Sequence, residues 1–384
     1  METILVIFGG QSAEHDVSII TAINSIITPL ILTKKYKVLP LYISKTGQWY
    51  CDKALSNIEL FTSGKIDNFL IKSKPVSLKF NNGLEIELNR LHTKRLKVDL
   101  VFPAMHGTFG EDGDLMGLLE MSGVAYVGCG VSASAIAMNK VLAKQLALGC
   151  NIPVSKFLAF KTSDFKLKLT KVIKNINSRL KFPIFVKPAH LGSSIGISRV
   201  KNNDELKNAL ELAFYYDDLV IVEEEVANLI EVTLPIIGND KLTPALLERP
   251  MLHQADFFDF ETKYLKGGKK GAKTGSKGSQ GYSEVPAKLE KSLYDAAQSL
   301  GLKVYQEFGL SGIARIDMLV DSKTNKVYFN EINPMPGSLY SHNFQKAGIS
   351  NVLLVEKLLQ LARERFKARS SVVTTFKTNY LKQF

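Results

Sequence analysis

The chain has 384 residues, 45% of them hydrophobic and 22% charged, with a formal net charge of +12. That length exceeds one small core and implies about two or three domains, and without an uninterrupted apolar run of about 18 residues a soluble globular protein outside the membrane is expected. The positive charge is mostly dispersed lysine, with no interleaved aromatics and no nucleic-acid module, so no nucleic-acid partner is expected, whereas a polyanionic small molecule suits it.

Met1 to Gly10 lacks a basic leader and a small-residue cleavage site, and reads as a first β-strand rather than a signal peptide. Strand-like Thr3 to Phe8, Val38 to Ile43, Val98 to Pro103 and Val124 to Val127 alternate with helical stretches around Asp16 to Pro29 and Asp112 to Met121. The alternation predicts a parallel α/β unit over residues 1–127. Within it, Ser56 to Arg95 is polar and reads as an irregular insertion, with a hairpin at Asn81-Asn82-Gly83. A second unit is expected over 128–223, with a helix from Ser132 to Leu148, strands near Phe157 and at Ile184 to Lys187, and a helix from Asp204 to Tyr215. A third follows over 224–365, then a basic tail, 366–384. Lys266 to Gly281 is Gly/Lys-rich and reads as a lid or a disordered loop. Cys51, Cys129 and Cys150 are odd in number and widely spaced, which suits reduced cytoplasmic thiols and no metal site.

Four stretches can carry chemistry. Gly9 to Ser18 follows the first strand and opens a helix, where an open α/β sheet binds ligand; Asp16 or another polar residue is the expected N-cap, and Glu14 is placed to hold an ammonium group. His106-Gly107-Thr108-Phe109-Gly110-Glu111-Asp112-Gly113 lies at the carboxyl end of a strand, with glycines for close backbone approach and acidic residues to cap the next helix. Lys187 precedes a loop of small residues, Gly192-Ser193-Ser194, that offers N–H and hydroxyl donors to a phosphate. The most informative stretch is the hairpin in Ala314 to Asn333. Side chains two apart share a strand face, so Arg315 and Asp317 project together, as do Glu331 and Asn333. Folding at Asp321 to Asn325 sets Asp317 opposite Glu331 to within a residue or two. The result is a hard-oxygen set suited to Mg²⁺ with phosphates, beside a fixed cation.

Taken in order, these pieces resemble the D-alanine–D-alanine ligases, members of the ATP-grasp fold, from Ile4 to about Leu361. The carrying motifs are His106-Gly-x-x-Gly-Glu-Asp-Gly and Arg315-Ile-Asp317 followed by Glu331-Ile-Asn333-Pro-Met-Pro-Gly337, with Glu14, Lys187, Gly192-Ser193-Ser194 and Lys263-Tyr264 in the expected order. The resemblance implies an α/β (α+β overall) ATP-grasp architecture, with ATP held between the second and third units. Lys140 and Lys187 would meet its phosphates, the segment from Glu223 to Val226, Glu224 included, its adenine, Glu231 its ribose and Lys263 its γ-phosphate. Asp317, Glu331 and Asn333 would hold two Mg²⁺ ions, with Mn²⁺ as a substitute. Glu14 would bind the first D-alanine and form a triad with Ser193 and Tyr264. Arg315 and the Gly337 N–H would stabilise a tetrahedral intermediate, Ser338 and Leu339 would receive the second carboxylate, and His106 would line the substrate site. The implied enzyme is a cytoplasmic homodimer that makes D-alanyl-D-alanine for peptidoglycan. Past Gly337, Ser338 to Asn343 departs from the family pattern, so D-serine or D-lactate as second substrate stays open, as does another ATP-grasp carboxylate–amine ligase.

Overall fold

The computed structural model describes residues 1–80, 83–89, 94–251 and 283–384. Its first unit is a five-stranded sheet in the order Trp49–Cys51, Tyr36–Ile43, Glu2–Gly9, Leu100–Pro103, Ala125–Tyr126. All neighbours are parallel except the edge strand Trp49–Cys51. Glu2–Gly9 sits in the middle, and Ile4 to Phe8 are buried on both faces, as the continuous apolar run of a central parallel strand requires.

The helical run His15–Thr33 covers one face of that sheet and passes through a π-helical stretch, Thr21–Ile27. By length and composition it is the one helix among the described residues that could cross a bilayer, with mean hydropathy 1.6, but Ile19, Ala22, Ile23, Ile26 and Ile27 are packed in the core. Neither Asp16 nor another side chain caps it: Asp16 lies 3.4 Å from Lys45, and Glu14 occupies the N-cap position without using its carboxylate there. Nor are the described residues between 56 and 95 irregular. Two short helices, Ile58–Thr62 and Ile66–Lys72, lead into a three-stranded antiparallel sheet, Val76–Phe80, Leu84–Leu88 and Lys94–Val98. Alternating Leu84, Ile86 and Leu88 bury against the first sheet and make this a second layer.

Two four-stranded antiparallel sheets follow. The first runs in the order Ser198–Val200, Ile184–Pro188, Leu219–Glu224, Phe157–Lys161, with helices Thr162–Arg179 and Asn203–Tyr216 packed on one side. The second runs Leu242–Pro244, Leu229–Gly238, Gly312–Asp321, Lys326–Asn333, backed by the helix Lys291–Glu307. The helix expected from Ser132 to Leu148 is two, Val131–Ala137 and Lys140–Gly149, parted where Asn139 accepts N–H bonds from Val141 and Leu142 at 3.1 and 3.0 Å. Both pack into the core of the second sheet through Ala133, Ala137, Ala143 and Ala147. The final helix, Asn351–Ser370, carries Leu354, Val355, Leu358 and Leu359 back against the first unit, so the basic tail leaves the fold only after Ser370.

Candidate active site

The hairpin sits as its alternation requires. In Gly312–Asp321, Ala314, Ile316, Met318 and Val320 enter the core while Arg315 and Asp317 stand on the other face. Asp317 pairs directly with Glu331 and Arg315 with Asn333, one position before a bulge between Asp317 and Met318. Arg315 donates from Nε and Nη2 to the Asp317 carboxylate at 2.7 and 2.6 Å, and Asn333 Nδ2 donates to Asp317 Oδ2 at 3.0 Å. Burial raises the proton affinity of Asp317 in spite of Arg315. Burial also works against the charge of Glu331, but Lys140, Lys187 and Arg315 together hold it below the usual carboxylate range. Glu231 lies on the adjoining strand opposite Leu319, and Thr233 opposite Asp317, which places both on this face.

Lys140 begins its helix with Nζ 2.6 Å from the Leu191 carbonyl and 3.4 Å from Glu331 Oε2, tying the small-residue loop to the hairpin. Lys187 lies on the same face as Glu223 of the neighbouring strand, 3.2 Å from its Oε1. The other oxygen of Glu223 meets Lys144 Nζ at 2.9 Å and the Ser155 hydroxyl at 2.7 Å. Burial opposes every charge in this cage. Glu223 nevertheless falls well below the carboxylate range because two ammonium groups face it, Lys187 is raised by Glu223 and Glu331, and Lys144, beside Lys187, is lowered. Glu224, one residue on, turns away and accepts the Lys181 N–H at 2.9 Å.

Glu14 is reached by the loop from the central sheet: the Ser193 hydroxyl donates to its Oε1. A Cβ on Gly107 would come within 3.0 Å of Glu14 Oε2 and one on Gly192 within 3.2 Å, so the absence of side chains at both lets two loops close on this carboxylate. Together they enclose a cleft of about 20 Å³. Burial and the neighbouring Glu111 raise the Glu14 pKa, against the Ser193 hydrogen bond. His106 is buried, its Nε2 2.9 Å from Thr21 Oγ1. Burial disfavours its cation, but Glu111 and Glu14 outweigh that and raise its pKa.

Four contributors were not singled out from sequence. Glu111, grouped with helix-capping acids, instead accepts N–H bonds from Gly107 at 2.7 Å and Met335 at 3.1 Å, and so joins the histidine loop to the segment bearing Gly337; only Asp112 reaches the start of the next helix. Thr21 Oγ1, the partner of His106, also accepts the Ser338 N–H at 2.9 Å. It opens the π-helical stretch, a local departure common at functional sites. Lys144 and its partner Ser155 lie in a buried cage that an apolar helix pattern conceals. Gly337 approaches the first helix, its Cβ position 3.7 Å from Val17, and Leu339 is buried beside half-exposed Ser338. Lys263, Tyr264 and the Lys266 to Gly281 segment lie outside the described residues.

A parallel α/β unit bearing a half-buried acid, set against two antiparallel sheets whose facing surfaces carry paired lysines and a carboxylate hairpin, defines an ATP-grasp carboxylate–amine ligase. Family profiles described as D-ala D-ala ligase N-terminus and C-terminus match residues 3–129 and 146–360, and the chain belongs to the D-alanine–D-alanine ligase family. It is 36% identical to the D-alanine–D-alanine ligase of Caldicellulosiruptor bescii, over 96% of this chain and 97% of that one. It is 35% identical to that of Chloroherpeton thalassium, over 95% and 97%. Among solved structures it is similar to the D-alanine-D-alanine ligase from Coxiella burnetii, with TM-score 0.76, 26% identity and 96% of each chain covered. It is also similar to the VanG D-Ala:D-Ser ligase from Enterococcus faecalis, with TM-score 0.77, 31% identity and 94% and 99% covered.

Proposed function

We propose that this chain joins two D-alanines into D-alanyl-D-alanine at the expense of ATP, through an acyl phosphate, for peptidoglycan precursor synthesis. The observation that carries the reading is that one loop, around Leu191 to Ser193, is held at once by Glu14, an acid fitted to an ammonium, and by Lys140, a cation bound to the carboxylate hairpin. Amino-acid end and phosphate end are thereby adjacent.

The hairpin fits a divalent cation. Asp317 and Glu331 are paired like charges on one face with an amide oxygen two residues on, and burial raises the proton affinity of Asp317, a cost that a bound cation relieves. Asp317 and Asn333 would each hold one of two Mg²⁺ ions, or Mn²⁺ in their place, with Glu331 shared. When bound, the metal offsets phosphate charge during in-line transfer.

Carboxylate and amine do not condense in water, so the first D-alanine carboxylate attacks the γ-phosphorus, ADP leaves, and the second D-alanine's amine displaces phosphate from the acyl phosphate. Glu14 holds the first ammonium, with His106 supporting it. Lys140 and Lys187 bind the phosphates, with the backbone segment from Glu223 to Val226, Glu224 included, along the adenine, Glu231 by the ribose and Lys263 by the γ-phosphate. Arg315 and the Gly337 N–H bind the tetrahedral oxyanion, and Ser338 and Leu339 the second carboxylate. Ser193 and Tyr264 close on Glu14 and exclude the water that would hydrolyse the acyl phosphate. A cytoplasmic homodimer follows from the resemblance, and light scattering of the purified chain tests the dimer. The function is tested by ATP-dependent phosphate release. D-alanine alone with Mg²⁺ suffices if the reading holds, whereas release that requires D-serine or D-lactate overturns it.

A further inference from the structure

We propose that Tyr340 is a positioning residue for the second chemical step, holding the Arg315 guanidinium where the tetrahedral oxyanion forms; this rests on the ligase reading above. The Asp317 fork engages Nε and Nη2 along one edge of the guanidinium. That fork alone leaves the plane free to swing about the shared edge. The Tyr340 ring supplies the second constraint, with Arg315 Cζ over it at 5.1 Å from the centroid. Nη1 lies outside the fork and is left for the reacting oxygen.

The ring is itself fixed. Its hydroxyl lies 3.4 Å from Glu248 Oε1 and 3.4 Å from Thr233 Oγ1, on the strand that flanks Arg315. Glu248 is buried, and its Oε2 accepts from His342 Nε2 at 2.9 Å and Asn343 Nδ2 at 3.0 Å. His342 therefore carries its proton on Nε2, since a carboxylate offers only an acceptor. Burial pushes the Tyr340 phenol up to about 12, which keeps it a neutral donor. The backbone is committed to the same end. Ser338, Leu339 and Tyr340 have φ of 52°, 54° and 50°, three successive side-chain-bearing residues in the left-handed region. Such a run persists only where its surroundings dictate it. Here the buried Leu339 side chain, the Ser338 N–H to Thr21 and the Leu339 N–H to the Pro336 carbonyl at 2.9 Å do so, and the turn brings Tyr340 back onto Arg315.

Phosphoryl transfer draws on the lysines and the hairpin carboxylates, whereas amine attack draws on Arg315, so loss of the ring separates the two steps. The experiment uses ATP carrying ¹⁸O in the β,γ-bridge, with D-alanine. Movement of label to the β-nonbridging position reports reversible acyl-phosphate formation, and dipeptide is measured in parallel. For Tyr340→Leu the dipeptide rate falls at least about 10-fold, the KM for the second D-alanine rises, and the ratio of label movement to dipeptide rises at least about 10-fold. Tyr340→Phe, which keeps the ring and loses only the hydroxyl, raises the ratio about 3-fold. An unchanged dipeptide rate, or loss of label movement in the same proportion, overturns the proposal. If Tyr340→Leu does not fold, Tyr340→Phe decides, and an unchanged ratio there overturns it. A parent enzyme that neither moves label nor makes dipeptide from D-alanine refutes the ligase reading itself, a failure distinct from an altered ratio in the variants.

Discussion

The Glu14 carboxylate accepts the hydroxyl hydrogen of Ser193, 179 residues away in sequence, and this bond joins the parallel unit to the central antiparallel sheet. Gly107 and Gly192 flank it so closely that a Cβ at either would press on the carboxylate, at 3.0 and 3.2 Å from Oε2. The acid is half-buried and beside Glu111, so its charge is poorly accommodated until a cation arrives. Binding of an ammonium and docking of the loop are therefore favourable together.

Glu14→Gln and Ser193→Ala should each raise the KM for D-alanine and lower kcat, with kcat/KM falling by roughly 10- to 100-fold, the scale of a lost charge-assisted hydrogen bond in a buried site. Because the two groups act as one contact, the double variant should cost far less than the product of the singles. Multiplying penalties in a double-mutant cycle would show that they act independently.

Asp317→Asn and Glu331→Gln should each reduce kcat by at least about 10²-fold, as expected when a group that stabilises transferring charge is removed. Chelation should abolish activity, and Mg²⁺ or Mn²⁺ should restore it in the parent. Titration of Mn²⁺ by its electron paramagnetic resonance signal, with ATP present, should show weaker binding in both variants. Parental affinity in both would remove these residues from the metal site.

Thr21 joins His106 to the Ser338 N–H, so Thr21→Val, close in volume, should leave the fold intact while loosening the turn that bears Ser338 and Leu339. The expected result is a rise of roughly 5- to 10-fold in the KM for the second D-alanine with less change for the first, the scale of one lost hydrogen bond. Initial-rate kinetics that resolve the two D-alanine sites check it, and equal changes at both count against it.

The hairpin was legible because a strand has a period of two. Arg315 and Asp317 alternate with Ile316 and Met318, and a polar turn sets the fold-back, so the Asp317–Glu331 pairing followed from spacing to within a residue or two. Glu14 was legible from its place after the first strand. Its neighbours were not. Glu111 meets the Met335 N–H across 224 residues, and nothing local distinguishes it from the helix-capping Asp112 beside it. Thr21 and Lys144 sit in helical patterns that read as core, and their chemistry exists only through residues brought together by tertiary packing. The split at Asn139 was missed because the apolar spacing runs through it, whereas the cap depends on backbone geometry. The insertion 56–95 looked irregular because short strands of alternating Leu84, Ile86 and Leu88 are diluted by charge, and what orders them is the sheet beneath.

Glu223 is 2% exposed and faces two ammonium groups, so removing its charge strands both. Glu223→Gln should destabilise the protein by about 3–5 kcal/mol at neutral pH, the cost of breaking a buried ion pair from one side. Because the folded pKa of Glu223 lies below its ordinary value of 4.5, this stability is fully present above that value and is lost as pH falls toward the folded one. The difference in unfolding midpoint between parent and variant should therefore be large at pH 7 and shrink below about pH 4. Lys187, raised in the folded state by the same carboxylate, contributes in the opposite window, present below its ordinary 10.5 and lost only as pH climbs through its folded value, so it does not blur the acid limb. Thermal unfolding of both proteins across pH 3.5 to 7 checks this, and a difference that stays constant over that range would mean that Glu223 contributes by shape and not by charge.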